Sequence, residues 1–130
     1  MTQASMGLIG TGTMGSALAL NIAENGHDIA IWNLDLSAVD LLIASAGDLA
    51  SRLVKCNKII NLVHNLAAPR AIILLVPAGK AVDRCVDELL PLLSPGDTII
   101  DGGNSEFRDT IERTKRLEEA GLAYLGRRVS

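Results

Sequence analysis

Aromatic side chains are almost missing from this sequence: one Trp, one Tyr and one Phe make up 2% of its 130 residues. A core built on stacked rings is therefore excluded. With 48% hydrophobic residues, packing falls to Leu, Ile, Val and Ala, which suits parallel strands buried on both faces. Positive charge is also in deficit, since 12 Lys and Arg stand against 15 Asp and Glu for a formal charge of −3. No basic stripe is left to neutralise a phosphate backbone, which argues against nucleic acid as a partner. No apolar run approaches the roughly 20 residues of a membrane span, and residues 1–5 lack the charged start and apolar stretch of a signal peptide. The expectation is a soluble cytoplasmic protein without a membrane partner. Cys56 and Cys85 belong to no CxxC or Cys/His cluster. They signal neither a metal site nor a disulfide framework and read as reduced thiols. His27 and His64 read as a solvated loop residue and a partly exposed helix residue.

The chain is organised around residues 6–15. A short apolar run with Met6, Leu8 and Ile9 breaks into Gly10-Thr11-Gly12-Thr13-Met14-Gly15 and then into an Ala- and Leu-rich helical pattern, which reads as strand, tight turn, helix. Glycine at 10 lets the backbone turn sharply, at 12 lets a diphosphate approach without meeting a Cβ, and at 15 lets the helix pack closely. The free amides and positive dipole end of that helix favour an anion.

Further units follow. Met14, Leu18 and Ile22 recur at helical spacing, and Asn25-Gly26 ends that helix. A second strand at 29–32 leads through Asn33-Leu34-Asp35 into a helix over 36–46 carrying Val39, Leu42 and Ile43. Leu49, Leu53, Val54, Ile60, Val63 and Leu66 fit one or two helices. A third strand is expected at 71–76, then a helix with Val82, Cys85, Val86 and Leu89. Ser94-Pro95-Gly96-Asp97 is a turn by composition. The fourth strand, 98–101, precedes a long helix capped by Asn104 or Ser105, with Phe107, Ile111, Thr114 and Leu117 on its buried face. A fifth strand lies at 122–125. This alternation implies an α/β fold with right-handed crossovers, a doubly wound parallel sheet of Rossmann type. Residues 1–130 read as one partial dinucleotide-binding domain that lacks its last strand, with the edge of the fifth strand left uncovered.

Ligands of such sheets bind beyond the carboxyl ends of the strands, where strand order reverses. Four segments fall on that edge: residues 10–15, 33–35, 76–79 and 101–105. Each is explicable alone as a turn or helix cap. Together, beside a phosphate-binding turn, they point to a dinucleotide.

Met6-Gly7-Leu8-Ile9-Gly10 with Gly12 and Met14-Gly15, then Ile72-Ile73-Leu74-Leu75-Val76 with Ala78-Gly79, and above all Ile99-Ile100-Asp101-Gly102-Gly103-Asn104-Ser105, resemble the coenzyme domain of 6-phosphogluconate dehydrogenases. The resemblance runs along essentially the whole chain. It implies an oxidoreductase of the pentose phosphate pathway that decarboxylates 6-phosphogluconate to ribulose 5-phosphate, with hydride passing to NAD or NADP. It further implies that Gly10, Thr11, Gly12, Thr13, Met14 and Gly15 hold the diphosphate, and that Asn33, Leu34 and Asp35 hold the adenosine ribose. Val76, Pro77 and Ala78 would pass near the nicotinamide side, Asn104 would touch both nicotinamide and substrate, and Ser130 would touch substrate. The family's lysine base and glutamate acid belong to a helical catalytic domain, so no catalytic residue is assigned here and these residues alone are expected to be inactive. The resemblance also implies a homodimeric parent enzyme.

This chain departs from the family in three places. NADP-using members carry Asn-Arg-Thr where Asn33-Leu34-Asp35 stands, so the arginine for the 2′-phosphate is missing and Asp35 suits a free ribose hydroxyl. The expectation is that NAD binds at least as well as NADP. Pro77 replaces a common lysine, and Arg127-Arg128 replaces a Ser-Gly pair. Two other readings stand beside the leading one: the coenzyme domain of a β-hydroxyacid dehydrogenase, against which Gly-Gly-Asn-Ser argues, and a stand-alone, non-catalytic nucleotide-binding module.

Overall fold

A computed structural model describes residues 4–77, 79–102 and 107–126. Among them one parallel sheet holds six strands, β1 (Met6–Ile9), β2 (Ile29–Trp32), β3 (Leu53–Lys55), β4 (Ala71–Leu74), β5 (Thr98–Asp101) and β6 (Ala123–Gly126). Their order is β3-β2-β1-β4-β5-β6. The reversal falls between β1, which starts the chain, and β4, which starts the second half, and that crevice is where such sheets bind ligands. Helices α1 (Thr13–Glu24), α2 (Leu36–Ser45), α3 (Ile59–His64), α4 (Lys80–Leu89) and α5 (Phe107–Glu119) and a 3₁₀ helix, Gly47–Arg52, make the crossovers.

Successive strand residues point to opposite faces, and this chain supplies aliphatic side chains to both. Leu8, Ile29, Ile31 and Ile73 pack with Ala19, Ala23, Val39 and Leu42 from α1 and α2. Ile9, Ile72, Leu74 and Ile99 pack with Leu62, Val82, Val86, Leu89 and Leu117 from α3, α4 and α5. Each such buried side chain contributes about 1.5–3 kcal/mol, so the continuous aliphatic strands read from the sequence are the centre of a three-layer sandwich.

One buried ion pair locks the turn before β5. The Asp97 carboxylate is fully buried and accepts from the Arg70 amide at 2.6 Å, the Arg70 guanidinium at 3.1 Å and the Ser94 amide at 2.8 Å. Burial pushes its pKa up, but those hydrogen bonds and the Arg70 charge outweigh burial and hold it below the ordinary carboxylate value. The expected turn is there, closed by Asp97 N–H donating to Ser94 O at 3.0 Å.

Several expectations need correction. Residues 49–66 are not simply one or two helices: the 3₁₀ turn runs into β3, which pairs with β2 through Leu53, Val54 and Lys55. With β3 counted, the sheet has six strands among the described residues, one more than the five expected. The expected third strand ends at Leu74, short of Val76, although Leu75 N–H still bonds Ile9 O. On α1 the small residues Gly15, Ala19 and Ala23 face the sheet, whereas Met14 is 57% exposed. Close approach of helix to strand selects the side without bulk. On α5, Ile111 is exposed and Arg113 is buried with Leu117, because Arg113 finds an acidic partner on α4. His27 and His64 are exposed, and Cys56 and Cys85 are free and buried. The cap at Asn104 or Ser105 and the side chain of Phe107 lie outside the described residues.

Candidate functional site

The bend after β1 is set by backbone geometry that only glycine satisfies. Gly10 has φ +107°, and a Cβ there would stand 2.2 Å from the carbonyl oxygen of Leu75. At Gly15 a Cβ would stand 2.0 Å from the carbonyl oxygen of Gly10, so the helix begins in direct contact with the strand's last peptide. Gly12 is different. A Cβ there meets nothing within 4 Å, and the open space is what an incoming diphosphate requires.

Gly12 is the N-cap of α1 and offers no side-chain cap, and Ser16 N–H begins the helical ladder by donating to Gly12 O at 2.8 Å. The first amides of a helix have no intrahelical partner, so those at the Thr13-Met14-Gly15 turn face the crevice as donors. Thr11 adds a buried hydroxyl with no hydrogen-bond partner among the described residues. An orphaned polar atom of this kind costs about 1–3 kcal/mol. Its place at the glycine bend suits a ligand that brings an acceptor.

The bend is tied to the end of β2. Thr11 N–H donates to Asn33 Oδ1 at 3.0 Å, and Asn33 Nδ2 donates to Asp35 O at 2.9 Å. Asp35 caps α2: its carboxylate accepts from the Ser37 hydroxyl at 2.6 Å and the Ser37 amide at 3.0 Å. These bonds, the hydroxyl's first, hold the carboxyl below its ordinary pKa. Asp35 is thus a fixed negative charge at the mouth of the crevice. Leu34 projects into solvent, 83% exposed.

Beside this tie lies a cavity of about 290 Å³ walled by Trp32, Asn33, Leu34, Ile59, Val76, Pro77, Ala81, Arg84, Cys85 and Glu88. The structure therefore brings Asn33 and Leu34 together with Val76 and Pro77, two segments that the sequence reading assigned to different ends of a dinucleotide. Its mostly apolar wall is of the kind that takes a flat heterocycle. Trp32, Ile59, Ala81, Arg84, Cys85 and Glu88 were not assigned to a ligand site from the sequence, and only the position of Trp32 directly before Asn33 could have suggested one of them. The Cys85 thiol is pushed up to about 11 by burial and by the neighbouring Glu88, which makes it an inert wall and not a nucleophile. Ala78, Asn104 and Ser130 lie outside the described residues. Among the described residues, no group of three or more His, Cys, Asp or Glu could hold a metal ion, and no helix is long and apolar enough to cross a membrane.

A six-stranded doubly wound sheet, with bare helix amides at its switch point and a side-chain-free bend, defines a domain of the dinucleotide-binding Rossmann class. Residues 5–130 match the family model described as the NAD binding domain of 6-phosphogluconate dehydrogenase, and the chain belongs to that family. It is 45% identical over 127 residues to the decarboxylating 6-phosphogluconate dehydrogenase of Treponema pallidum (strain Nichols), covering 98% of this chain and 26% of that protein. It is 43% identical over 122 residues to the NAD(+)-dependent, decarboxylating enzyme of Bacillus subtilis (strain 168), covering 94% of this chain and 26% of that one. Among solved structures, 6-phosphogluconate dehydrogenase of Plasmodium falciparum, described in apo form and in complex with its cofactor NADP+ and its substrate 6-phosphogluconate, superposes with a TM-score of 0.89 at 34% identity. That match covers 97% of this chain and 27% of the other. The chain thus spans about a quarter of the length of these relatives.

Proposed function

We propose that this chain is the coenzyme-binding part of a decarboxylating 6-phosphogluconate dehydrogenase, acting in the cytoplasm as part of a homodimer. The observation that carries the reading is the contrast within one bend: Cβ atoms at Gly10 and Gly15 would strike backbone, whereas at Gly12 nothing lies within 4 Å. Protein packing requires two of the glycines, and the third is explained by a ligand. When bound, the coenzyme supplies a hydride acceptor. The chain's own residues bind and orient it: the amides of the Thr13-Met14-Gly15 turn receive the diphosphate, the turn at Asn33, Leu34 and Asp35 takes the adenosine, and Val76 and Pro77 pass near the nicotinamide. Asn33 holds the bend in register with the ribose-binding turn. By family resemblance Asn104 is assigned to both nicotinamide and substrate, and Ser130 to substrate. The sugar acid would lose hydride and carbon dioxide in a cleft whose other wall lies in the roughly three quarters of the relatives that this chain does not span, and no turnover is expected from these residues alone.

The ribose turn favours NAD. An exposed Leu34 cannot hold a 2′-phosphate, and Asp35, fixed in place by Ser37, repels one. Calorimetric titration at equal salt should show NAD binding at least as tightly as NADP, and a clear NADP advantage would end this part of the reading. Leu34→Arg should improve NADP affinity by about ten- to a hundredfold, the worth of a charge-assisted hydrogen bond of about 1.5–3 kcal/mol, with NAD little changed. Absence of binding by either coenzyme to folded protein would overturn the function as a whole.

A further inference from the structure

Arg113 is 4% exposed on a helix whose neighbouring Ile111 is turned out to solvent. Burying an arginine in place of an aliphatic residue is costly unless its fork is filled. Here it is filled by the loop ends of the second half of the sheet. Nε donates to Asp83 Oδ1 in the first turn of α4 at 2.8 Å, and Nη2 donates to the carbonyl oxygen of Gly79 at 3.2 Å. Gly79 has φ +89° and forms the turn between Pro77 and α4. The guanidinium also lies beside the Tyr124 hydroxyl, whose pKa burial and Asp101 raise and the Arg113 charge only partly lowers. That hydroxyl donates to Asp101 Oδ2, the last residue of β5, at 2.7 Å. One cation on α5 therefore connects the turn after β4, the first turn of α4, β6 and the end of β5.

A doubly wound sheet binds a dinucleotide across two mononucleotide halves. The adenosine half lies over β1, β2 and β3, where Asn33 and Asp35 stand, so the other nucleotide lies over the β4-β5-β6 half. We propose that Arg113, with Asp83, Gly79, Tyr124 and Asp101, is a positioning device for that second nucleotide, holding the turn before α4 and the end of β5 at the spacing its ring requires. This rests on the reading of the domain as a dinucleotide site. Arg113 itself does not touch the ligand.

The test compares NADH with ADP-ribose, which carries the adenosine and diphosphate but no nicotinamide, by calorimetry on the whole chain. Wild type should bind both, NADH more tightly. Arg113→Met keeps the aliphatic stem and removes the fork. It should weaken NADH at least tenfold, towards the ADP-ribose value, while ADP-ribose stays within about twofold of wild type. Arg113→Lys, which retains the charge, should recover part of the loss. Tyr124→Phe, which removes one hydroxyl, should show the same split on a smaller scale and serves if Arg113→Met does not fold. Equal weakening of both ligands would reduce Arg113 to a purely structural role, and no weakening, or equal affinity of wild type for the two ligands, would overturn the proposal. Wild type that stays folded and binds neither ligand would instead overturn the dinucleotide reading on which the proposal rests.

Discussion

Gly10→Ala should lower stability by about 2–6 kcal/mol, whereas Gly12→Ala should cost at most about 1 kcal/mol and abolish measurable coenzyme binding. At Gly10 two costs add. The backbone at φ +107° is sparsely allowed to residues with a side chain, worth about 1–3 kcal/mol. The new Cβ also meets the Leu75 carbonyl oxygen at 2.2 Å, a backbone clash whose relief costs a further 1–3 kcal/mol or so. Against a typical total of about 5–15 kcal/mol, such a loss is severe. At Gly12 the methyl group enters empty space in the free protein, so the cost is only that of alanine in place of glycine at an N-cap. The space it fills is the one proposed for the diphosphate. Urea unfolding and calorimetric titration of the two variants should therefore separate cleanly, stability failing in one and affinity in the other. A Gly12→Ala protein that binds coenzyme normally would remove the reason for placing the ligand at this bend.

Asp97→Ala should cost about 3–5 kcal/mol, the penalty for breaking a buried ion pair and stranding its partner. Three donors lose their acceptor at once: the Arg70 amide, the Arg70 guanidinium and the Ser94 amide. The guanidinium is itself largely buried, with 19% of its side-chain surface exposed. The pair also makes the fold acid-sensitive in a defined sense. Because the folded-state pKa of Asp97 is lowered from 3.8, the stabilisation is fully present above that value and is lost as pH falls through the folded pKa. Urea unfolding from pH 7 downward should show wild type losing this share of stability in the acid range, while Asp97→Ala, already without it, declines less steeply. Parallel curves would show that Asp97 carries no such linkage.

How far the sequence discloses this molecule depends on whether a feature is local. Gly10, Gly15 and Gly26 were legible because a bend or helix end needs a residue type that few alternatives supply. Asn33, Leu34, Val76 and Pro77 were legible because alternation of strands and helices puts strand ends on one edge. β3 was not, since three residues are too few to show a period, and Leu49, Leu53 and Val54 also satisfy helical spacing. The buried face of α5 was misread at Ile111 for a related reason: hydrophobic periodicity registers oily side chains, and nothing in it signals that Arg113 is drawn inward by Asp83, thirty positions earlier. The anchoring role of Asp97 was hidden in the same way, because a turn composition accounts for the residue before its partner Arg70, 27 positions away, enters.

The scarcity of rings has a practical sequel. Trp32 is the sole indole, it lines the crevice cavity beside Asn33 and Leu34, and its Nε1 reaches the carbonyl oxygen of Asn57 at 3.3 Å. Indole emission from this chain thus originates at a single spot, on the cavity wall beside the turn at Asn33 and Leu34. The molecule carries its own optical gauge of occupancy, with no second fluorophore of its kind to blur the signal.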